Sequence, residues 1–308
     1  MMETVGFIGL GQMGRGMALN LQKKAGGIHV FDISQTATSQ LVGAGAQNCN
    51  SAAELALQCR VIILCLPTER EVDALIFGPH GLLAGATPDS IVVDSTTMDR
   101  NAAVSLSERA NLAGLDYCDC PVSGLPKRAD AGTLISMVGG TKAAFDRVRP
   151  TLEMFSQTVL HCGGIGSGQT MKAINNIIYD INIAALCEVL PLAVAGGLDP
   201  VQLTHVVTSG SSNSFVSKHF VPRMLARQFS NDFPLQQAVK DIKNIQQLQA
   251  DTGAHLPLVT AMIESYEAAL AAGYGAEPKS AMLKIYEAVL DVQFAEVQNP
   301  DTQHRPQH

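Results

Sequence analysis

The stretch from Thr4 to Asp32 sets a strand, three spaced glycines, a helix and a second strand in one order, and few folds accept it. Thr4-Val5-Gly6-Phe7-Ile8 is the short apolar run of a buried strand. Gly9-Leu10-Gly11-Gln12-Met13-Gly14 follows, then a helical stretch Arg15–Lys24 and a strand Ile28–Phe31 that ends at Asp32. The first glycine permits the tight turn, the second lets backbone approach a pyrophosphate, and the third lets the helix pack close to the strand. The helix start offers unpaired N–H groups and positive partial charge to phosphates. An acid at the end of the second strand can accept hydrogen bonds from adenosine ribose hydroxyls. A GxGxxG alone is weak support, because glycine-rich turns occur in unrelated α/β domains; here its whole context is present. The reading is a dinucleotide site built from Gly9, Leu10, Gly11, Gln12, Met13, Gly14 and Asp32. Asp32 is followed by Ile33, Ser34 and Gln35 rather than by Arg or Lys, which favours NAD over a cofactor with a 2′-phosphate, NADP.

The alternation then continues. Ser34–Gly43 reads as a helix, and Ser51-Ala52-Ala53-Glu54 and Thr68–Glu71 read as capping boxes. Val61-Ile62-Ile63-Leu64-Cys65-Leu66 is an unbroken apolar run, typical of a strand buried on both faces, and Pro67 stops it. Ile91-Val92-Val93-Asp94 is the next strand. Strand ends of a doubly wound sheet are where ligands bind, so Leu66, Pro67, Glu71, Thr96 and Thr97 are candidate cofactor contacts. Each of them alone also fits plain loop chemistry. Asp116–Cys120 begins another strand. Pro121 to Leu134 reads as a shaped loop, long enough to suggest function. Leu134–Val138 returns as a strand, Thr141–Phe155 is helical and Thr158–Cys162 is a last strand.

Gly163–Gly197 reads as one long helix with a glycine-rich start, roughly 40 Å at ~1.5 Å per residue. Lys172, Asn175, Asn176 and Tyr179 share a face at i, i+3, i+4 and i+7. Beyond Ile177 the helix is apolar almost all round, which predicts burial on every side. Such a helix fits a two-domain enzyme with its site at the seam, or a core helix whose first turn is solvated. Downstream, Pro200–Thr208, Pro234–Thr252, Pro257–Ala272 and Lys279–Val292 carry helical periodicity with no convincing strand. Lys240-Asp241 sits in an amphipathic helix with Ala238, Val239, Ile242 and Ile245, where a solvated face explains Lys240 on pattern alone. The expected architecture is α/β, a Rossmann-type doubly wound sheet over residues 1–164. An all-α domain follows over 165–294, joined by the long helix, and then a polar, disordered tail over 295–308.

Net charge of -7, no basic tract and no Trp argue against a nucleic-acid partner. Asp180, Asn182, Glu188 and Pro191 interrupt the long helix, which argues against a membrane span. Met1–Val5 runs into a strand with no cationic leader. Seven cysteines, mostly in apolar runs and without paired spacing, suggest a reducing, cytoplasmic setting and no metal site.

Several separated motifs resemble one family, the β-hydroxyacid dehydrogenases, which includes 3-hydroxyisobutyrate dehydrogenase, tartronate semialdehyde reductase and L-threonate dehydrogenase. The motifs are Gly6 to Gly14, Asp119-Cys120-Pro121-Val122-Ser123-Gly124 with Gly132-Thr133-Leu134, Gly166-Ser167-Gly168 through Lys172 and Asn175-Asn176, and Lys240-Asp241. The resemblance runs from about Val5 to Val292. It implies a Rossmann domain and an all-α domain that also mediates a homodimer or homotetramer. It makes Lys172 the catalytic residue, with Asn176 helping to hold the substrate and Asn175 beside it. Ser123 and Gly124 would grip a small carboxylate, and Thr97 and Lys240 would lie beside the cofactor. The chain departs from the pattern where a second glycine usually follows Ser-Gly; Leu125 and Pro126 stand there. Arg100 also replaces a common proline. Two alternatives share the architecture. Imine reductases usually lack a lysine at the position of Lys172, and non-catalytic dinucleotide-binding proteins commonly lose it. A 6-phosphogluconate dehydrogenase is normally longer and needs a basic phosphate cluster that this sequence does not offer.

Overall fold

The computed structural model describes residues 3–230 and 234–296. In chain order the elements are β1 (Val5–Ile8), α1 (Gln12–Ala25), β2 (His29–Phe31), α2 (Gln35–Gly43), β3 (Gln47–Asn48), α3 (Ala52–Gln58), β4 (Val61–Leu64) and α4 (Glu69–Phe77). β5 (Ile91–Asp94), α5 (Arg100–Leu112), β6 (Asp116–Asp119), β7 (Val122–Ser123), α6 (Pro126–Asp130), β8 (Leu134–Gly139), α7 (Lys142–Leu152) and β9 (Ser156–Gly163) follow. The strands form one sheet. Its first part runs β3-β2-β1-β4-β5-β6 with every pair parallel, the doubly wound order. β8 then pairs antiparallel with β6 and β7, and β9 lies parallel to β8.

Alternation along the strands makes two cores. Val61, Ile63, Ile91, Val93 and Cys118 join α1 and α7 residues such as Met17, Leu21 and Val148 on one face. Ile62, Leu64, Val92 and Tyr117 join Leu55, Val72, Ile76 and Leu106 from α3, α4 and α5 on the other. Both faces are covered, which is why β4 reads as a continuous apolar run. The two capping boxes form differently from expectation. Ser51 accepts from the Glu54 N–H, but the Glu54 carboxylate takes the Asn50 backbone and side-chain N–H groups at 2.8 and 2.9 Å. Thr68 accepts from the Arg70 N–H and donates its hydroxyl to Glu71.

α8 (Ser167–Ala195) is 29 residues long. The chain divides into two compact units between Ile174 and Asn175, inside α8. Beyond it come α9 (Pro200–Ser209), α10 (Phe215–Leu225), α11 (Ala238–Thr252), α12 (Pro257–Ala271) and α13 (Leu283–Leu290). Pro234 and Pro278 make an isolated bridge. The helical core gathers Ile183, Cys187 and Leu190 of α8 with Phe220, Met224, Ile242, Met262, Tyr266 and Phe294. α10 was not expected from the sequence. Ser214 and Ser217 cap its start reciprocally, a box without the usual Glu or Gln.

The expectation that α8 is buried on every side does not hold within the chain: Ile178 is 58%, Val189 53% and Leu192 57% exposed. From α8 the core buries Ile177, Ile183, Ala184, Cys187 and Leu190, which recur at helical spacing along one side. α8 has the length and hydropathy of a membrane span, but that side packs in the core. On the same helix Asp180 is fully buried, accepting from Lys279 Nζ and the Tyr266 hydroxyl, each at 2.7 Å. Residues 297–308, most of the expected tail, lie outside the described residues.

Candidate active site

The turn after β1 is shaped by contacts that exclude side chains. Gly9 has φ +95°, and a Cβ there would meet the Cys65 carbonyl oxygen at 2.3 Å. A Cβ on Gly14 would lie 1.8 Å from the Gly9 oxygen. Gly11 differs, because nothing lies within 4 Å of the Cβ it lacks. It is the N-cap of α1, whose first turn carries no acid and no side-chain cap. The leading N–H groups of α1 therefore have no anionic side chain competing for them. Asp32 is fixed to the same turn: one carboxylate oxygen accepts from the Leu10 N–H at 2.6 Å and the other from the Ser34 N–H at 2.7 Å. Each oxygen keeps lone-pair capacity for a further donor. This open glycine cradle, a bare helix start and an oriented acid fit a dinucleotide's pyrophosphate and ribose.

The ends of β4 and β5 lie side by side. Leu66 is half-buried, and Pro67 and Glu71 are exposed. Thr96 is buried, and its hydroxyl accepts from the Leu66 N–H at 3.0 Å. Its side chain thus braces the two strand ends from inside, whereas Thr97 remains half-exposed. The carboxylate of Asp94 accepts from the Thr96 N–H at 2.9 Å and the Tyr117 hydroxyl at 2.8 Å. Burial pushes Asp94 up to about 6 despite these bonds.

The stretch expected to be one shaped loop instead holds β7 and α6. Ser123 pairs with Ile135 of β8. Gly124 has φ +128°, and a Cβ there would meet Leu134 at 2.9 Å, so this position needs glycine. Leu125 takes ordinary extended backbone (φ −62°), as Pro126 after it favours, and caps α6 without strain. Its side chain is half-buried, next to half-buried Arg128 and exposed Lys127 on α6. α6 is docked onto α1. Asn20 donates to the Ala129 and Asp130 carbonyls at 2.9 and 3.0 Å, and Arg15 pairs with Asp130 at 3.2 Å. Gly16 allows the approach, since a Cβ there would sit 2.7 Å from the Asp130 nitrogen.

The start of α8 is anchored from two directions. The buried Asp119 accepts from the Gly166 N–H at 2.7 Å and the Gln169 N–H at 2.8 Å. Burial pushes its carboxyl up to about 6, against the lowering effect of those donors. Gln169 is buried; its Oε1 accepts from the Met98 N–H at 3.1 Å and its Nε2 donates to the Thr96 carbonyl at 2.7 Å. Sequence reasoning quoted Asp119 only as the first residue of a motif, with no role, and did not name Gln169. Lys172 stands three residues further along α8 and is partly exposed. Within the second unit, Asn175 donates to the Asn176 side-chain oxygen at 3.2 Å. Lys240 falls in α11, but its side chain lies outside the described residues. Among the described residues no group of three or more His, Cys, Asp or Glu could hold a metal.

A sheet whose first six strands run parallel in this order, with a glycine cradle and an acid after its second strand, defines a dinucleotide-binding domain of the Rossmann type. The family described as the NAD binding domain of 6-phosphogluconate dehydrogenase matches residues 4–164. The one described as NAD-binding of NADP-dependent 3-hydroxyisobutyrate dehydrogenase matches residues 166–286. The chain is 30% identical to 2-(hydroxymethyl)glutarate dehydrogenase of Eubacterium barkeri, covering 94% of this chain and 96% of that one. It is 31% identical to the NAD-dependent L-serine dehydrogenase of Pseudomonas aeruginosa, covering 93% and 98%. Among solved structures, Mycobacterium tuberculosis 3-hydroxyisobutyrate dehydrogenase with L-serine superimposes with a TM-score of 0.83 at 31% identity, covering 92% and 99%. The chain belongs to the β-hydroxyacid dehydrogenase family, of the 3-hydroxyisobutyrate dehydrogenase-like group. It is a dehydrogenase acting on a CH–OH group of a small hydroxy acid, with an NAD(P) cofactor.

Proposed function

We propose that this enzyme interconverts a small, polar β-hydroxy acid and its semialdehyde or keto form, with NAD as cofactor and Lys172 as general acid–base. The observation that carries the reading is the anchoring of α8, one turn before Lys172, to Asp119 at the end of β6 and to the chain leaving β5. That anchoring supports the reading, because a doubly wound sheet binds ligands at its strand ends and a basic side chain on a fixed helix start can serve there. A bound nicotinamide would supply the hydride chemistry. The chain does the rest. In oxidation the neutral Lys172 amine accepts the hydroxyl proton; in reduction the ammonium donates it to the carbonyl oxygen and offsets charge developing there. Ser123 and Gly124 are proposed to hold the carboxylate. Asn176, one turn beyond Lys172 on α8, would hydrogen-bond the substrate, with Asn175 beside it. Gly9 to Gly14, Asp32, Leu66, Pro67, Glu71 and Thr97 are proposed on the cofactor side, and Lys240 by family resemblance.

NAD rather than NADP is supported by Asp32, whose charge opposes a 2′-phosphate. Leu125, Lys127 and Arg128 beside Ser123 and Gly124 support a polar acid, threonate or a relative, rather than 3-hydroxyisobutyrate. Two of the curated relatives act, by their names, on L-serine and 2-(hydroxymethyl)glutarate. The free cysteines fit a cytoplasmic enzyme, and a homodimer or homotetramer is proposed from the family resemblance. The test is an absorbance screen of NAD and NADP against 3-hydroxyisobutyrate, D-glycerate, L-threonate, serine and 3-hydroxypropionate, run on wild type and Lys172→Ala. Lys172→Ala should lower kcat at least ~10²-fold, the low end for a positioned acid–base group, while NADH still binds. Near-wild-type turnover of that variant refutes the assignment.

A further inference from the structure

Gln169 is a polar side chain 2% exposed, and both ends of its amide are spent on one backbone segment. It accepts from the Met98 N–H and donates to the Thr96 carbonyl, the groups on either side of Thr97. The amide thus serves that segment as a strand neighbour would, one donor and one acceptor to residues two apart. The segment is itself tied to the end of β4, through the Leu66 N–H to the Thr96 hydroxyl, and to Asp94 through the Thr96 N–H. On the other side, the Gln169 backbone N–H is held by Asp119. Glycine at 168 lets α8 come this close, since a Cβ there would meet the Met137 oxygen at 2.3 Å and Asp119 Oδ2 at 2.7 Å.

We infer that Gln169 is a positioning residue, which sets the height and rotation of α8 against the Thr96–Met98 segment and thereby fixes where Lys172 presents its amine. The inference rests on the reading of Lys172 as the acid–base group. Its chemistry is particular to an amide. Glutamate matches the length, but when ionised it sets an oxygen against the Thr96 carbonyl; methionine fills the space and leaves a buried N–H and C=O without partners. A displacement of about 1 Å at a reacting group can cost ~10²-fold in rate. Neither substitution touches the glycine cradle or Asp32.

The test combines a double-mutant cycle with a pH profile. Gln169→Met should lower kcat ~10- to ~100-fold, with KM for NAD and the NADH affinity by fluorescence titration within ~3-fold of wild type. In the Lys172→Ala background the same change should lower kcat by less than ~2-fold, because both act through one amine. Gln169→Glu covers the case in which Gln169→Met does not fold. Its kcat relative to wild type should rise as pH falls, since the protonated acid regains the donor for Thr96. Additive effects of Gln169→Met and Lys172→Ala overturn this inference alone, as does a pH-independent deficit in Gln169→Glu. A loss confined to thermal stability or to NADH affinity, with kcat retained, also overturns it. Wild-type turnover in Lys172→Ala overturns the reading of Lys172 first, and this inference with it.

Discussion

Alanine at Gly11 and at Gly14 should separate cofactor binding from folding, though the two positions lie less than one helical turn apart. At Gly14 the added carbon would lie 1.8 Å from the Gly9 oxygen and 3.1 Å from a Phe7 ring atom. Ordinary C···O approaches begin near ~3.3 Å, so α1 and the turn must part by about 1.5 Å. Overpacking a well-packed site costs about 1–3 kcal/mol, and here the obstacle is backbone that cannot rotate away, which sets the cost near ~3 kcal/mol. At about 2–4 °C per kcal/mol for a unit of this size, Tm should fall by roughly 6–12 °C. At Gly11 the space is open and φ is an ordinary −66°. The stiffer unfolded chain gains ~0.4–1 kcal/mol, and the poorer cap loses a similar amount, so stability should stay within ~1 kcal/mol. The methyl group instead occupies the face where a pyrophosphate must approach. NADH affinity should drop at least ~10-fold, or ~1.4 kcal/mol. Thermal unfolding without cofactor reads the first effect, and NADH fluorescence titration reads the second. Wild-type affinity in Gly11→Ala would mean that the dinucleotide does not cross this turn. Wild-type Tm in Gly14→Ala would refute the packing argument.

Asp32→Ser should weaken NAD and narrow the preference over NADP, because the serine removes the charge that opposes a 2′-phosphate; a wild-type kcat/KM with NADP equal to or better than with NAD contradicts this. A further prediction concerns pH. Burial holds the folded pKa of Asp94 at about 6 against an ordinary 3.8. Between those values the folded protein keeps a proton that the unfolded chain has lost. The group's stabilising contribution is therefore full below about pH 4 and is lost as pH rises through about 6. The span corresponds to ~3 kcal/mol. Asp94→Asn does not titrate, so its stability in urea relative to wild type should improve by up to that amount between about pH 4 and 7, and a flat or falling difference speaks against the assignment.

The dinucleotide turn was legible because its glycines stand at fixed spacing between a strand and a helix: Gly14 packs on the Gly9 oxygen five residues before it, while Gly11 meets nothing and leaves its face of the turn open. Gly16 belongs to the same run, yet its reason for being glycine is invisible there: it faces α6, a five-residue helix that the sequence presents only as a loop of glycines, prolines and charges. Ser123 and Gly124 were marked by motif resemblance alone, and the φ of Gly124 supplies the physical reason for a glycine at that position. The exposed face of α8 was misread because an all-apolar helix announces that it is covered without saying whether this chain covers it. The anchoring roles of Asp119 and Gln169 were missed for a different reason. Their partners lie 47 to 73 positions away, and a lone acid or glutamine carries no periodic signal of such a bond.

The two buried acids show what those unreadable contacts cost and what they secure. Asp94 and Asp119 are register partners on β5 and β6, both buried and both pushed up to about 6. Ionised at neutral pH, each carries a desolvation penalty that an apolar residue would avoid. An apolar residue, however, would strand the N–H groups of Thr96, Gly166 and Gln169 in the interior. An amide in place of Asp119 would turn its NH₂ toward one of the two N–H groups that the carboxylate accepts. Only two equivalent acceptor oxygens satisfy both Gly166 and Gln169 at the start of α8. The stability given up at these strand ends fixes the helix that carries Lys172 and the segment that carries Thr97, the two places where the proposed chemistry requires an invariant separation.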